Sequence, residues 1–285
     1  MKNSIKLIAA GLLFSTALIA PAVSHAAVGD DNNELDSKGQ ITFTPNTDPT
    51  NPIDPTDPTD PVVPIDPTDP TNPNPDPTPG TNGPLSIDYA SNFLFVEKDY
   101  DPATGDAEKQ KVKITSQDKT YYAMAQTYKD SAGDVQTGPN FVQVSDNRGS
   151  LAGWNLTVTQ KDQFATADPN DASKTVYLDG AKITLNNGSI QTPSTSAKPS
   201  TVAAEAELTP NAVTPLITAA ANEGAGTYQL VWGDPASTDP TADNDASKSV
   251  TLDVPGATTK LAAQYTTTLT WSLYDTPDGS ATPAP

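Results

Sequence analysis

The chain has 285 residues, 16 basic against 35 acidic side chains for a net charge of −19, a single histidine and no cysteine. Such an acidic excess repels polyanions, which excludes nucleic acid and anionic lipid as natural partners. The missing cysteines exclude disulfides and thiol chemistry, so any fold must be held by its core alone.

The first residues have the form of a secretory signal peptide over 1–26: Lys2 and Lys6 at the charged end, an apolar stretch from Leu7 to Ala20, and Ser24-His25-Ala26 as the cleavage site. Its removal leaves 14 basic residues, a net charge of −21 and no histidine. Ser-His-Asp and Cys-His nucleophiles and His/Cys zinc sites then lose the groups they require. No later stretch approaches the ~20 apolar residues of a membrane span. The C-terminal GSATPAP carries neither a hydrophobic tail nor a sortase-type signal, so the sequence predicts an exported protein without a covalent anchor.

Residues 27–44 are polar except for Gln40-Ile41-Thr42-Phe43-Thr44, which has the alternation of one strand. From 45 to 84 there are 14 prolines, at every third position between Pro49 and Pro73. That spacing matches the three residues per turn of polyproline II and predicts a disordered stalk, on the order of 100 Å when extended. Residues 85–277 form a unit long enough for one core. Short β-rich runs recur in it between Gly, Pro, Asn and Asp clusters: LSID, NFLFV, KVKIT, YYAMAQT, FVQVS, GWNLTVT, TVYL, AKITL, TYQLVW, SVTLDV and AQYTTTLTWSLY. The expected fold is all-β, a single β-sandwich or barrel-like domain behind the proline-rich stalk, with a flexible tail at 278–285. Helix propensity is concentrated only at Leu216–Asn222. Asp171–Asp179 echoes Asp245–Asp253, either as two related strand-loop units or as the same turn chemistry used twice.

Two tripeptides decide the functional reading. Trp154-Asn155-Leu156 and Trp271-Ser272-Leu273 both sit in alternating runs, with Trp, Leu, Val and Tyr on one face and Asn, Thr, Ser and Gln on the other. This is the pattern of half-buried strands. With GQITFTPNTDPT, LSIDYASNFLF, EGAGTYQLVWG and SVTLDVPG, in that order, they make the chain resemble the WxL-domain surface proteins of Gram-positive bacteria. The resemblance implies a secreted, non-enzymatic protein held non-covalently on peptidoglycan, without cofactor, in complexes with membrane-anchored companions that carry a WxL-interacting domain. It transfers the motif role to Trp154, Leu156, Trp271 and Leu273. The alternation itself leaves two roles open for them, core residues or direct contacts to the wall, and aligns Trp232 with the core. An adhesin or scaffold that grips another surface protein or a host ligand is the alternative from a different class. The charged stretch EKDYDPATGDAEKQ after Phe95 is longer than the family's usual connection.

Other chemistry finds little support. Glu205 and Glu207 are the carboxylates least like loop residues, but a glycosidase pair needs a cleft around it. Ser116-Gln117-Asp118-Lys119 matches S-x-x-K without the companion motifs of penicillin-recognising enzymes. The loops Asp168–Asp171 and Asp243–Asp245 hold calcium-type ligands without an EF-hand pattern, so solvated turns are expected there and no metal.

Overall fold

The computed structural model describes residues 37–69, 80–98, 110–237, 239 and 242–279. The expected signal peptide, residues 99–109 of the charged stretch and the tail beyond Gly279 lie outside these. The chain divides into two units, Met1–Thr42 and Phe43–Pro285. In the first, residues 37–42 form no regular element. The strand expected over Gln40–Thr44 is absent: Ile41 and Phe43 are 75% and 83% exposed, with no neighbouring strand to take up the backbone donors.

The second unit contains eighteen strands, β1–β18 in chain order, and no helix among the described residues. Three antiparallel sheets enclose its core. One runs β13 (Thr201–Val202), β15 (Val213–Ala219), β8 (Trp154–Gln160), β18 (Leu269–Tyr274). A second runs β12 (Gly188–Gln191), β16 (Gly226–Trp232), β7 (Asn140–Asp146), β2 (Leu85–Ala90). The third runs β14 (Ala206–Leu208), β11 (Lys182–Leu185), β17 (Val250–Val254), β4 (Lys119–Ala123), β3 (Phe95–Val96). A smaller sheet joins β1 (Val63–Pro64), β5 (Gln126–Lys129) and β6 (Val135–Gly138), and β9 (Ala165–Asp168) pairs with β10 (Asp171–Tyr177) as a hairpin. The three inner faces share one cluster that includes Trp154, Leu156, Val142, Tyr228, Leu230, Trp232, Ile183 and Val250. Each large side chain enclosed there contributes about 2 to 3 kcal/mol.

Several local expectations give way to tertiary pairing. Leu216–Asn222 is not helical, because Ile217 and Ala219 pair with Leu156 and Trp154, and a bulge after Pro215 buries both Leu216 and Ile217. KVKIT forms no strand and leaves Val112 and Ile114 exposed. The long C-terminal run is a strand only from Leu269, preceded by a single bridge from Thr266 to Ala165. The echoed segments share their turn, where Ser173 and Ser247 each donate N–H and Oγ–H to the aspartate two residues back, and a core leucine, Leu178 and Leu252. They differ in the strand between: Val250 is core, whereas its counterpart Val176 is half-buried on a hairpin.

The proline-rich segment differs most from its expected form. Residues 52–62 fold back on themselves, with Asp54 N–H donating to Asp60 O at 2.8 Å and Val62 N–H to Pro52 O at 2.9 Å. Val63 and Pro64 then add β1 to the edge of β5. Residues 51–66 therefore lie on the domain, and 70–79 fall outside the described residues. What draws them there is the outer face of the β12-β16-β7-β2 sheet, which carries buried polar side chains. A bulge between Ile87 and Tyr89 turns Asp88 and Tyr89 outward beside Gln143, Ser145 and Gln229, and all five are buried. Buried amides and carboxylates need partners. The segment supplies them: Ile53 N–H donates to Gln143 Oε1, and Gln229 Nε2 and Gln143 Nε2 donate to the carbonyls of Ile53 and Asn51.

Candidate functional site

The two Trp-x-Leu tripeptides meet in one sheet. β18 runs antiparallel to β8, with Leu273 opposite Leu156 and Trp271 opposite Val158. The motifs are not equivalent, because β8 is a central strand and β18 an edge strand. Trp154 is wholly enclosed. Its indole N–H donates to Gly224 O at 2.8 Å and its ring lies 6.2 Å from that of Tyr228. Leu156 and Leu273 are buried beside it.

Two glycines shape the site, Gly224 against the ring and Gly153 against the neighbouring strand end. Gly224, at φ 74°, leaves no space for a side chain: a Cβ there would lie 2.5 Å from Trp154 Nε1. Gly153, at φ 78°, would place a Cβ 2.3 Å from Ala219 O. Both positions demand glycine on conformational and steric grounds.

Trp271 is half-buried. Its ring stacks obliquely on Trp232 at 5.9 Å, and Trp232 meets Phe93 edge-on at 6.1 Å. Of the four motif residues, the large aromatic surface reachable from outside belongs to Trp271 alone.

Arg148, which carried no motif signal, positions both tripeptides. It is the chain's one arginine. Its guanidinium grips the 2%-exposed carboxylate of Asp146, at 2.9 Å from Nε and 2.8 Å from Nη2. The remaining donors reach Gly153 O, just before Trp154, and Asp275 O, just after Tyr274. The bond to Asp146 raises the guanidinium pKa further and keeps it charged. One cation thus ties the entry of β8 to the exit of β18.

The opposite side of this sheet is mostly hydroxyl-bearing, with Asn155 and Thr157 buried at its centre, Asn155 donating to Thr218 and Pro277 O, and half-exposed hydroxyls at Thr218, Thr159, Thr270 and Ser272. Across it run Thr201, Thr218, Asn155 and Tyr274, then Pro215, Thr157 and Ser272, then Val213, Thr159 and Thr270. The four strands contain no Asp, Glu, Lys or Arg. In a chain so acidic, that is an uncharged face.

The other candidate groups are engaged locally. Glu207 pairs with Lys182 at 2.9 Å and Lys119 with Glu97 at 2.9 Å, all at the surface. Asp168 accepts Asn170 N–H, Asp171 holds Lys174, and Asp243 offers only its carbonyl, to Asn187. Among the described residues no group of three acidic, His or Cys side chains is placed to hold a metal. A cleft of about 640 Å³ beside Thr56, Asn187, Ser189, Gln191, Asp234 and Asn244 has no aromatic wall and no paired carboxylates.

The model of a family described as WxL domain, surface cell wall-binding, matches residues 30–277. The chain belongs to the WxL family. No curated protein and no solved structure matches it. The WxL match begins ahead of the proline-rich segment and includes it, in agreement with the packing of residues 51–66 on the domain. Membership makes this a surface protein that attaches to the cell wall.

Proposed function

We propose that this WxL protein is a secreted, non-enzymatic wall ligand of a Gram-positive bacterium, released from a signal peptide over 1–26. It binds peptidoglycan non-covalently through the outer face of the β13-β15-β8-β18 sheet, in a complex with membrane-anchored companions carrying a WxL-interacting domain. The observation that carries the reading is a sheet face without charge in an otherwise acidic molecule, with half-exposed hydroxyls at Thr159, Thr218, Thr270 and Ser272. Glycan hydroxyls hydrogen-bond to such groups without displacing counter-ions, and the acidic surroundings discourage anionic wall polymers. Trp154, Leu156 and Leu273 hold this face in shape from behind, and Trp271, on the same inner side at the edge strand, closes the core beneath it. The binding unit extends from residue 51 to residue 279. The non-catalytic reading is supported by Glu207, the best-placed carboxylate, being engaged by Lys182.

Sedimentation with sacculi stripped of protein and teichoic acid tests this. Thr159→Asp combined with Ser272→Asp places charge on half-exposed positions of the face, where substitutions usually change stability by no more than about 0.5 kcal/mol. The expected result is an unchanged melt and lost sedimentation. Wild-type sedimentation by this variant would show that the wall is met elsewhere. If the native chain also ignored sacculi but captured a protein partner, the adhesin alternative would take its place.

A further inference from the structure

The proline-rich segment contains the same eight residues twice, PIDPTDPT at 52–59 and again at 64–71. The two copies meet the domain in the same way. Ile53 N–H donates to Gln143 Oε1 at 2.9 Å and Ile65 N–H to Thr127 O at 2.8 Å. Each isoleucine carbonyl accepts from a glutamine amide, Gln229 Nε2 at 2.6 Å and Gln126 Nε2 at 2.8 Å. Each following aspartate caps the threonine two residues on, through both its N–H and its hydroxyl. Each also accepts one donor from the domain, Tyr128 OH at Asp54 and Asn92 Nδ2 at Asp66. The proline before each isoleucine is buried.

The domain therefore carries two sets of donors and acceptors that read one motif by backbone, carboxylate and proline ring. The sets touch, since Tyr89 OH donates to Gln126 and Gln143 to Asp88 within the same buried layer. Proline-rich peptides suit such recognition because their extended form is already ordered and little entropy is lost on docking.

We propose that this layer is a bipartite binding site for the Pro-Ile-Asp-Pro-Thr repeat, and that the partner it fits in trans is the same segment of a second copy of this chain. In one molecule the segment is tethered beside its site at an effective concentration of ~mM, so the cis arrangement wins in dilute solution. Exchange between copies follows wherever copies are packed to a similar local concentration. The donors that define the site face the segment whichever copy supplies it.

The test uses the full chain and a synthetic peptide spanning Thr50–Asp69. In a ¹⁵N-labelled wild-type chain, unlabelled peptide at several millimolar should move the Ile53 and Ile65 amide resonances towards their free-chain positions. A second chain, Ile53→Pro with Ile65→Pro, loses both recognised N–H groups yet keeps the extended backbone. It should bind fluorescent peptide at least tenfold more tightly than wild type, by anisotropy, and a peptide carrying Asp54→Ala with Asp66→Ala should not compete. Unmoved Ile53 and Ile65 resonances, or equal anisotropy with the two chains, would overturn the proposal. Should the proline variant lose its circular dichroism spectrum, the wild-type titration decides alone. Neither readout involves wall binding, so failure here leaves the wall-contact reading standing, and the reverse.

Discussion

Truncating the two motif tryptophans should have unequal consequences, although the sequence presents them as a pair. Trp154 lies on the central strand, fully enclosed, with its indole N–H on Gly224 O. Trp154→Ala removes the largest apolar side chain of that strand and leaves a buried carbonyl without its donor, a cost of about 3 to 5 kcal/mol. An ordinary domain is stable by only about 5 to 15 kcal/mol, so the variant should be close to unfolding. Trp154→Phe keeps most of the packing and isolates the hydrogen bond, at about 1 to 3 kcal/mol. Trp271 is already half in water and stacks on one side only, so Trp271→Ala should cost about 1 to 2 kcal/mol. Urea unfolding followed by far-UV circular dichroism measures all three, beside sacculus sedimentation. Equal costs for Trp154→Ala and Trp271→Ala would refute the distinction between central and edge strand. A Trp154→Ala chain that unfolds like wild type yet no longer sediments would refute the core assignment and make Trp154 a contact residue.

Arg148→Lys cannot reproduce the two-point grip on Asp146 together with the bonds to Gly153 O and Asp275 O. It should lower stability by about 1 to 3 kcal/mol in urea, and a midpoint like that of wild type would show that the clamp is dispensable. Burial raises the pKa of Asp88 despite hydrogen bonds from Ser145, Ser86 and Gln143, so its ionised form is carried at a cost that disappears as pH falls through the folded-state value. The melting temperature of Asp88→Asn relative to wild type should therefore be more favourable at pH 7 than at pH 4, and a difference independent of pH refutes this. Glu223 behaves in the opposite sense, because the N–H groups of Ala220 and Ser200 lower its pKa, and its contribution is lost on acidification. Chelation of calcium should leave the melting temperature unchanged, since Asp168 and Asp171 are engaged by their own turns; a drop restored only by calcium would overturn that.

Strand type was readable where alternation coincided with burial, as in β17. It failed where the chain supplies its own cover. Gln143 and Gln229 have the spacing of solvent-facing residues on β7 and β16, and periodicity cannot indicate that Asn51 and Ile53, some 90 and 176 residues away in sequence, hydrogen-bond to them. The same gap concealed the role of the proline-rich segment. Three-residue spacing marks a chain with few backbone donors, but it indicates neither the antiparallel bridge of Ile53 with Pro61 nor the amide side chains that meet the segment. Ala219-Ala220-Ala221 was misleading for the complementary reason: helix propensity is worth tenths of a kcal/mol per residue, and pairing Ile217 with Leu156 buries far more.

The site was half legible, and the illegible half follows from what a motif can record. Trp154, Leu156 and Leu273 stand out because few residues fill an enclosed position between Gly153 and Gly224 and opposite Ile217. A motif of this kind marks where the packing tolerates no alternative. The outward residues of the same strands, buried Asn155 and Thr157 and half-exposed Thr159, Thr270 and Ser272, are ordinary for any polar sheet face and carry no pattern of their own. Only the pairing of β8 with β15 and β18 assembles them into one uncharged surface, drawn from parts of the chain up to 120 residues apart. If the wall is met there, the tryptophans that make the family recognisable act on binding chiefly through the shape of the sheet they support. Substitutions at the motif should then lose binding in step with stability, and substitutions on the hydroxyl face should lose binding alone.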